Sequence, residues 1–174
     1  MKHIAVLFSI IVMMAGFSAR IMAQATESTD VAANVVIPIA ISETSSLHFG
    51  TMTVLAGTGG TCVLSTLGVR TQTAGVNLSV QAPLASNAAY NVTGQVNTSY
   101  SITLPAKITV TFLSNRMTIG RLVARPASMG ADGLTGTLSS AGNDNFTVGG
   151  TLNVLPDQVA GLYTGTFNVT VVYN

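Results

Sequence analysis

The chain has 174 residues, 48% of them hydrophobic and only 7% charged, against about 25% charged in an average soluble protein. Seven basic and six acidic residues give a formal net charge of +1, which excludes a strong electrostatic pull towards nucleic acid or an anionic membrane surface. Its richness in Val, Ile and Leu excludes a disordered chain, and its one cysteine, Cys62, cannot form an internal disulfide.

The first element is a targeting segment. Lys2 and His3 form a short basic start, and Ile4 to Phe17 is an almost unbroken apolar run. Ala23-Gln24-Ala25 is a small-x-small junction, so residues 1–25 are expected to be a cleavable signal peptide and the mature chain to begin at Thr26. The apolar run is short of the ~20 residues a membrane helix needs, so no membrane span is expected in the mature chain. Five basic and six acidic residues remain after cleavage, a net charge of about −1.

Period-two alternation then dominates, broken by Gly, Pro and Asn. Val31, Ala33, Val35, Ile37, Ile39 and Ile41 place apolar side chains at every second position, predicting one long N-terminal strand over residues 26–41. Pro38 cannot donate to a ladder, so this strand belongs at an edge or is added late. Further strands are predicted at 47–55, 61–65, 68–73, 76–80, 90–94, 99–104, 108–112 and 117–123. Shorter ones follow at 134–138, 146–148 and 152–155. The last is the clearest: Tyr163, Gly165, Phe167, Val169, Val171 and Tyr173 share one face, and Thr164, Thr166, Asn168 and Thr170 the other. Turn signals every 8 to 12 residues predict an all-β fold, a single antiparallel immunoglobulin-like β-sandwich over residues 42–174. An outer-membrane barrel is a rival for alternating strands, but it needs aromatic girdles, and this chain has no Trp.

Chemistry is sparse. An enzyme needs titratable groups that converge, and the only histidine after the signal is His48, next to Phe49. No G-x-S-x-G elbow occurs, and one His with one Cys cannot close a zinc site. Gly57-Thr58-Gly59-Gly60 lacks the ending of a phosphate loop and reads as a turn. Asn143-Asp144-Asn145 offers at most one calcium-binding carboxylate, and single copies of such motifs are usually turns. No catalytic residue, metal ligand or cofactor is therefore expected. Lys107, Arg116, Arg121 and Arg125 concentrate the basic charge, as a solvated strand face or as a patch for an acidic glycan or a neighbouring subunit.

Leu47-His48-Phe49-Gly50-Thr51, Gly59-Gly60-Thr61, Tyr100-Ser101-Ile102-Thr103-Leu104-Pro105, Gly149-Gly150-Thr151-Leu152 and the ending from Gly161-Leu162-Tyr163 to Tyr173-Asn174 resemble the bacterial family called domain of unknown function 4402. That name carries no activity. The layout also resembles chaperone–usher pilus subunits of the archaic, spore-coat-protein-U-like group. Those have a mobile N-terminal strand, a Leu-x-Phe-Gly element, a penultimate Tyr (here Tyr173) and a Gly fourteen residues from the end (here Gly161). Cys62 departs from that group, which usually carries a paired cysteine bridge.

The second resemblance implies an exported, non-enzymatic subunit of a surface filament or fimbria. Its partners would be copies of itself or related subunits, with a periplasmic chaperone and an usher during transit through the periplasm to the cell surface or medium. Val31, Ala33, Val35, Ile37, Ile39 and Ile41 would be donated as a strand, with Val35, Ile37, Ile39 and Ile41 as its knobs. Gly161, Phe167, Val169, Val171 and Tyr173, towards the end of the chain, would also take part in the assembly. The same N-terminal segment can equally be the first strand of a self-contained sandwich. The rival functions are a monomeric exported binding module for surface carbohydrate or protein, and a secreted hydrolase.

Overall fold

A computed structural model describes residues 24–174. The expected signal segment, up to Ala23 of its cleavage junction, lies outside the described residues. Among the described residues every regular element is a strand. They are β1 (Ala40–Ser45), β2 (Met52–Val54), β3 (Gly60–Leu64), β4 (Arg70–Ala74), β5 (Val76–Leu78) and β6 (Ala88–Thr93). Then come β7 (Ser99–Thr103), β8 (Lys107–Phe112), β9 (Asn115–Pro126), β10 (Thr135–Thr137), β11 (Asn143–Val154) and β12 (Thr170–Tyr173). Every pairing is antiparallel, in a curled sandwich-like arrangement.

The organiser is β11. One of its edges pairs with β9 along most of its length. Its other edge pairs first with β6 (Asn143 to Val148) and then with β3 (Gly150 to Val154). The partner changes at Gly149-Gly150. From sequence this dipeptide looks like a break between two short strands, 146–148 and 152–155; the structure runs one twelve-residue strand through it. A Cβ on Gly149 would collide with the Leu64 carbonyl and the Ser65 backbone, so glycine is required by close approach at the changeover. From β11 the large sheet extends through β6 to β1, through β3 to β4, and through β9 to β8. Two smaller sheets, β10-β7-β12 and β2-β5, complete the set.

Side chains fill the interior in two apolar clusters. One gathers Cys62, Leu64, Val76, Ile108, Val110, Ile119, Leu152 and Val154 between the lower half of the large sheet and β2-β5. The other gathers Tyr90, Val92, Tyr100, Ile102, Leu138, Phe146, Val148 and Val171 between its upper half and β10-β7-β12. Leu47, Leu122 and Phe167 pack against both. Phe146 and Tyr90, opposite one another on β11 and β6, stack with centroids 5.0 Å apart. Such an interior is the inverse of the polar lumen of an outer-membrane barrel.

Two expectations about the ends are corrected. The N-terminal strand does not run over 31–41: it begins at Ala40, and residues 24–39 adopt no regular element. A strand needs a ladder partner, and residues 31–36 have none within the described chain. The compact unit begins at Val36, so the expected division between residues 41 and 42 falls inside β1. The final strand is paired only over Thr170–Tyr173. Upstream, one bridge joins Thr164 to Thr111, and residues 165–169 form no ladder.

Candidate functional site

Two strand edges frame the upper cluster. β1 ends the large sheet and β12 ends the three-stranded one. On β12, the Asn174 N–H donates to Ser99 O, and the register pairs Val172 with Ser101 and Thr170 with Thr103. Bonded pairs in an antiparallel ladder recur every second residue, so the backbone groups of Val171 and Tyr173 point away from β7, to the open side. On β6, the Gly94 N–H donates to Gly142 O across β11, which by the same alternation turns Thr93 and Asn91 towards Ala40 and Ser42 of β1. The backbone groups of Ile41 and Glu43 then face β1's own open side.

Apolar side chains follow the same frame. Ile39 and Ile41 from the β1 side, Leu104 after β7, and Phe167, Val169 and Tyr173 leading into and along β12 are all half-buried against the upper cluster. Val171 is buried. Ile39 and Ile41 thus pack against the upper cluster of their own chain. Gly161 lies further upstream, where a Cβ would overlap the Phe112 ring that packs at a tilt on Tyr163.

The alternating residues before Ile39 behave in the opposite way. Val31 is 92% exposed, Val35 93%, and Ile37 55%. Ala33 is exposed as well. Ile37 is nevertheless fixed through its backbone. The Tyr173 hydroxyl donates to Ile37 O at 2.7 Å and accepts the Gln95 backbone N–H at 2.6 Å. The Ile37 N–H reaches the Gln95 side-chain oxygen at 3.4 Å. Gly94 makes room, because a Cβ there would collide with the Tyr173 hydroxyl. Sequence reasoning singled out Tyr173 but not this bridge, whose partners are 78 and 136 residues away in the chain.

The remaining polar residues are engaged in the fold. Both oxygens of buried Asp144 accept hydrogen bonds: from the Tyr100 hydroxyl at 3.0 Å, Ser128 Oγ at 2.6 Å, Ser128 N at 3.2 Å and Asn145 N at 2.8 Å. All are N–H or O–H donors, so the carboxylate is satisfied as a structural group. Burial first, and then the bond to Asp144 and its charge, hold the Tyr100 hydroxyl well above its ordinary pKa of 10.0. Arg70 donates to three carbonyls, Phe49 O, Thr51 O and Ser79 O, tying the β2-β5 ribbon to β4. Cys62 is fully buried, and desolvation raises its thiol above the ordinary value, partly offset by Arg70. His48 is exposed and bridges Ser86 through its backbone alone. Arg125 pairs with Asp132 at 3.5 Å. Lys107, Arg116 and Arg121 make no ion pair among the described residues. Among those residues no three His, Cys, Asp or Glu side chains gather as a metal site, and no helix is long and apolar enough to cross a membrane.

A second surface lies on the outer face of the large sheet. Thr73, Thr61, Asn153, Thr118 and Thr109 stand in register across β4, β3, β11, β9 and β8. A shallow depression beside this row is lined by Thr61, Val63, Thr73, Gly120, Arg121, Thr151 and Asn153.

No curated protein and no solved structure matches the chain. The family described as "Domain of unknown function (DUF4402)" matches residues 39–173, from the residue before β1 to the last residue of β12. The exposed segment before Ile39 lies outside that match. The chain belongs to the DUF4402 family.

Proposed function

We propose that this protein is an exported, non-enzymatic structural subunit of a bacterial surface filament, in which copies join by strand complementation. One observation carries the reading. Two open strand edges frame a buried apolar cluster rimmed by half-buried side chains, in a chain whose N-terminal segment exposes alternating aliphatic residues.

Open edges are templates for pairing, and an extended segment adds to them through main-chain hydrogen bonds and alternate side chains. The donated segment is residues 26–36 of another copy, with Val31, Ala33 and Val35 as the inserting side chains. Eleven extended residues span about 36 Å, more than enough to run along the six residues of β1 or the four of β12. Burying the two valines contributes roughly 1.5–3 kcal/mol each, before the added ladder bonds. The contact joins unlike surfaces, so it propagates instead of closing.

The test is the full chain expressed with its leader, recovered from the periplasm or medium, with its N-terminus read by mass spectrometry. The native chain should form oligomers or fibres by size-exclusion and negative-stain microscopy. Val31→Asp/Val35→Asp should be a folded monomer that takes up a labelled peptide of residues 26–36. A native chain that stays monomeric, with no peptide uptake by the variant, would overturn the reading.

The row of four threonines and an asparagine across five strands favours a second reading, an exported module that binds a surface carbohydrate through hydroxyl and amide contacts. It predicts retention on an immobilised glycan array that is lost in Thr61→Val/Thr118→Val, with the oligomeric state unchanged.

A further inference from the structure

We infer that the bridge of Tyr173 and Gln95 to the Ile37 backbone is a latch that prevents the chain from filling its own groove, so that its N-terminal segment is available only to another copy. This inference deepens the strand-complementation reading and rests on it.

Filling the groove within one chain requires a reversal just before β1. Residues 26–36 would have to turn back near Ile37 and lie beside β1 as the second arm of a hairpin. Three features oppose that turn. Ile37 precedes Pro38, whose ring disfavours the helical region for Ile37, so Ile37 cannot take a central helical position of such a turn. The Ile37 carbonyl accepts the Tyr173 hydroxyl at 2.7 Å, and its N–H faces Gln95 Oε1 at 3.4 Å, so both backbone polar groups are committed to the domain. The Tyr173 hydroxyl is itself positioned from behind by the Gln95 N–H at 2.6 Å and by the absence of a side chain at Gly94. A tight turn centred on Ile37 would break these contacts and strain the residue before the proline.

The latch residues come from both sides of the groove. Ile37 leads into β1, and Tyr173 belongs to β12. The contact therefore also fixes the end of the gap that an incoming strand must enter. Tyr173 is here a positioning residue: its hydroxyl acts on the chain's own backbone and not on the incoming segment.

The test compares full-length variants refolded at equal concentration. Tyr173→Phe/Pro38→Gly removes the hydroxyl and frees the turn. Its ratio of monomer to oligomer should rise roughly tenfold, the scale of one or two lost hydrogen bonds. The new monomers should refuse the labelled 26–36 peptide, because their own segment occupies the groove. Gln95→Ala/Pro38→Gly placed in Val31→Asp/Val35→Asp should still accept the peptide. Should Tyr173→Phe/Pro38→Gly fail to fold, Gln95→Ala/Pro38→Gly removes the second contact and makes the same forecast.

Oligomers as abundant as in the native chain would overturn the latch, and so would monomers that take up the peptide. Loss of peptide uptake in that quadruple variant would overturn it too, by making Gln95 or Pro38 part of the recognition itself. A native chain that is monomeric while Val31→Asp/Val35→Asp binds peptide would overturn the latch alone. Absence of both oligomers and uptake would remove the underlying reading.

Discussion

Residues 31–37 and 167–173 carry the same sequence pattern and meet opposite fates. Both place apolar side chains at every second position over seven residues. In the second stretch Phe167, Val169, Val171 and Tyr173 pack into or against the upper cluster. In the first, Val31 and Val35 are more than nine-tenths exposed. Alternation decides which side chains share a face. It does not supply a partner strand, and without one the backbone groups stay with water and the apolar face stays uncovered. The end of the chain has β7 to pair with. The start has no such strand within the described chain.

The largest effect that would sharpen this contrast comes from placing the same charge in each stretch. Val171→Asp buries an uncompensated carboxylate and should cost more than about 4 kcal/mol, enough to leave little folded protein in a urea titration. Val35→Asp should change the unfolding free energy of the domain by less than about 0.5 kcal/mol while abolishing oligomers. A Val35→Asp chain as unstable as Val171→Asp would break the contrast, because residue 35 would then be core.

A second effect separates the two tyrosines that face each other across β7 and β12. The Tyr100 side chain is fully buried on Asp144, whereas Tyr173 is half-exposed and holds Ile37. The pKa of Tyr100 is raised in the folded protein, so the folded state keeps its proton when the unfolded chain loses it. The stabilisation is complete below the unfolded value near pH 10 and declines above it, at about 1.4 kcal/mol per pH unit. The raised Cys62 thiol adds a loss of the same sign that begins about one unit lower. Melting temperature should therefore fall steeply in alkali. The Tyr100→Phe variant should show a shallower decline, and an unchanged slope would mean that Tyr100 ionises freely in the fold.

The smallest effect is that of Tyr173→Phe alone. Loss of a half-exposed hydroxyl should lower stability by about 1 kcal/mol, read from the denaturant midpoint at unchanged m-value. Amide exchange at Gln95, whose N–H donates to that hydroxyl, should accelerate in the same variant. An unaltered exchange rate would mean that the hydroxyl does not hold the backbone there.

The sequence by itself determined the class of fold and most of the strands. Period-two alternation with regular turn signals can be satisfied only by strands covered on one face, and the predicted segments at 99–104, 108–112 and 76–80 agree with β7, β8 and β5 to within two residues at each end. It also determined that Pro38 belongs beside an edge, since a missing N–H is harmless only there. Tertiary structure alone decided the continuity of β11 through Gly149-Gly150, because the need for glycine arises from the approach of Leu64 and Ser65, far away in the chain. It also decided the charge relations of Asp144, whose donors come from β7, from the loop after β9 and from its own strand. Most consequentially, it decided where the N-terminal pattern stops being part of the domain. Ile39 and Ile41 have the upper cluster to meet, and Ile41 has β6 as well, while Val31, Ala33 and Val35 carry the same alternation with no partner strand among the described residues. Side-chain order is written locally, but the partner that turns an alternating segment into a strand is a long-range fact.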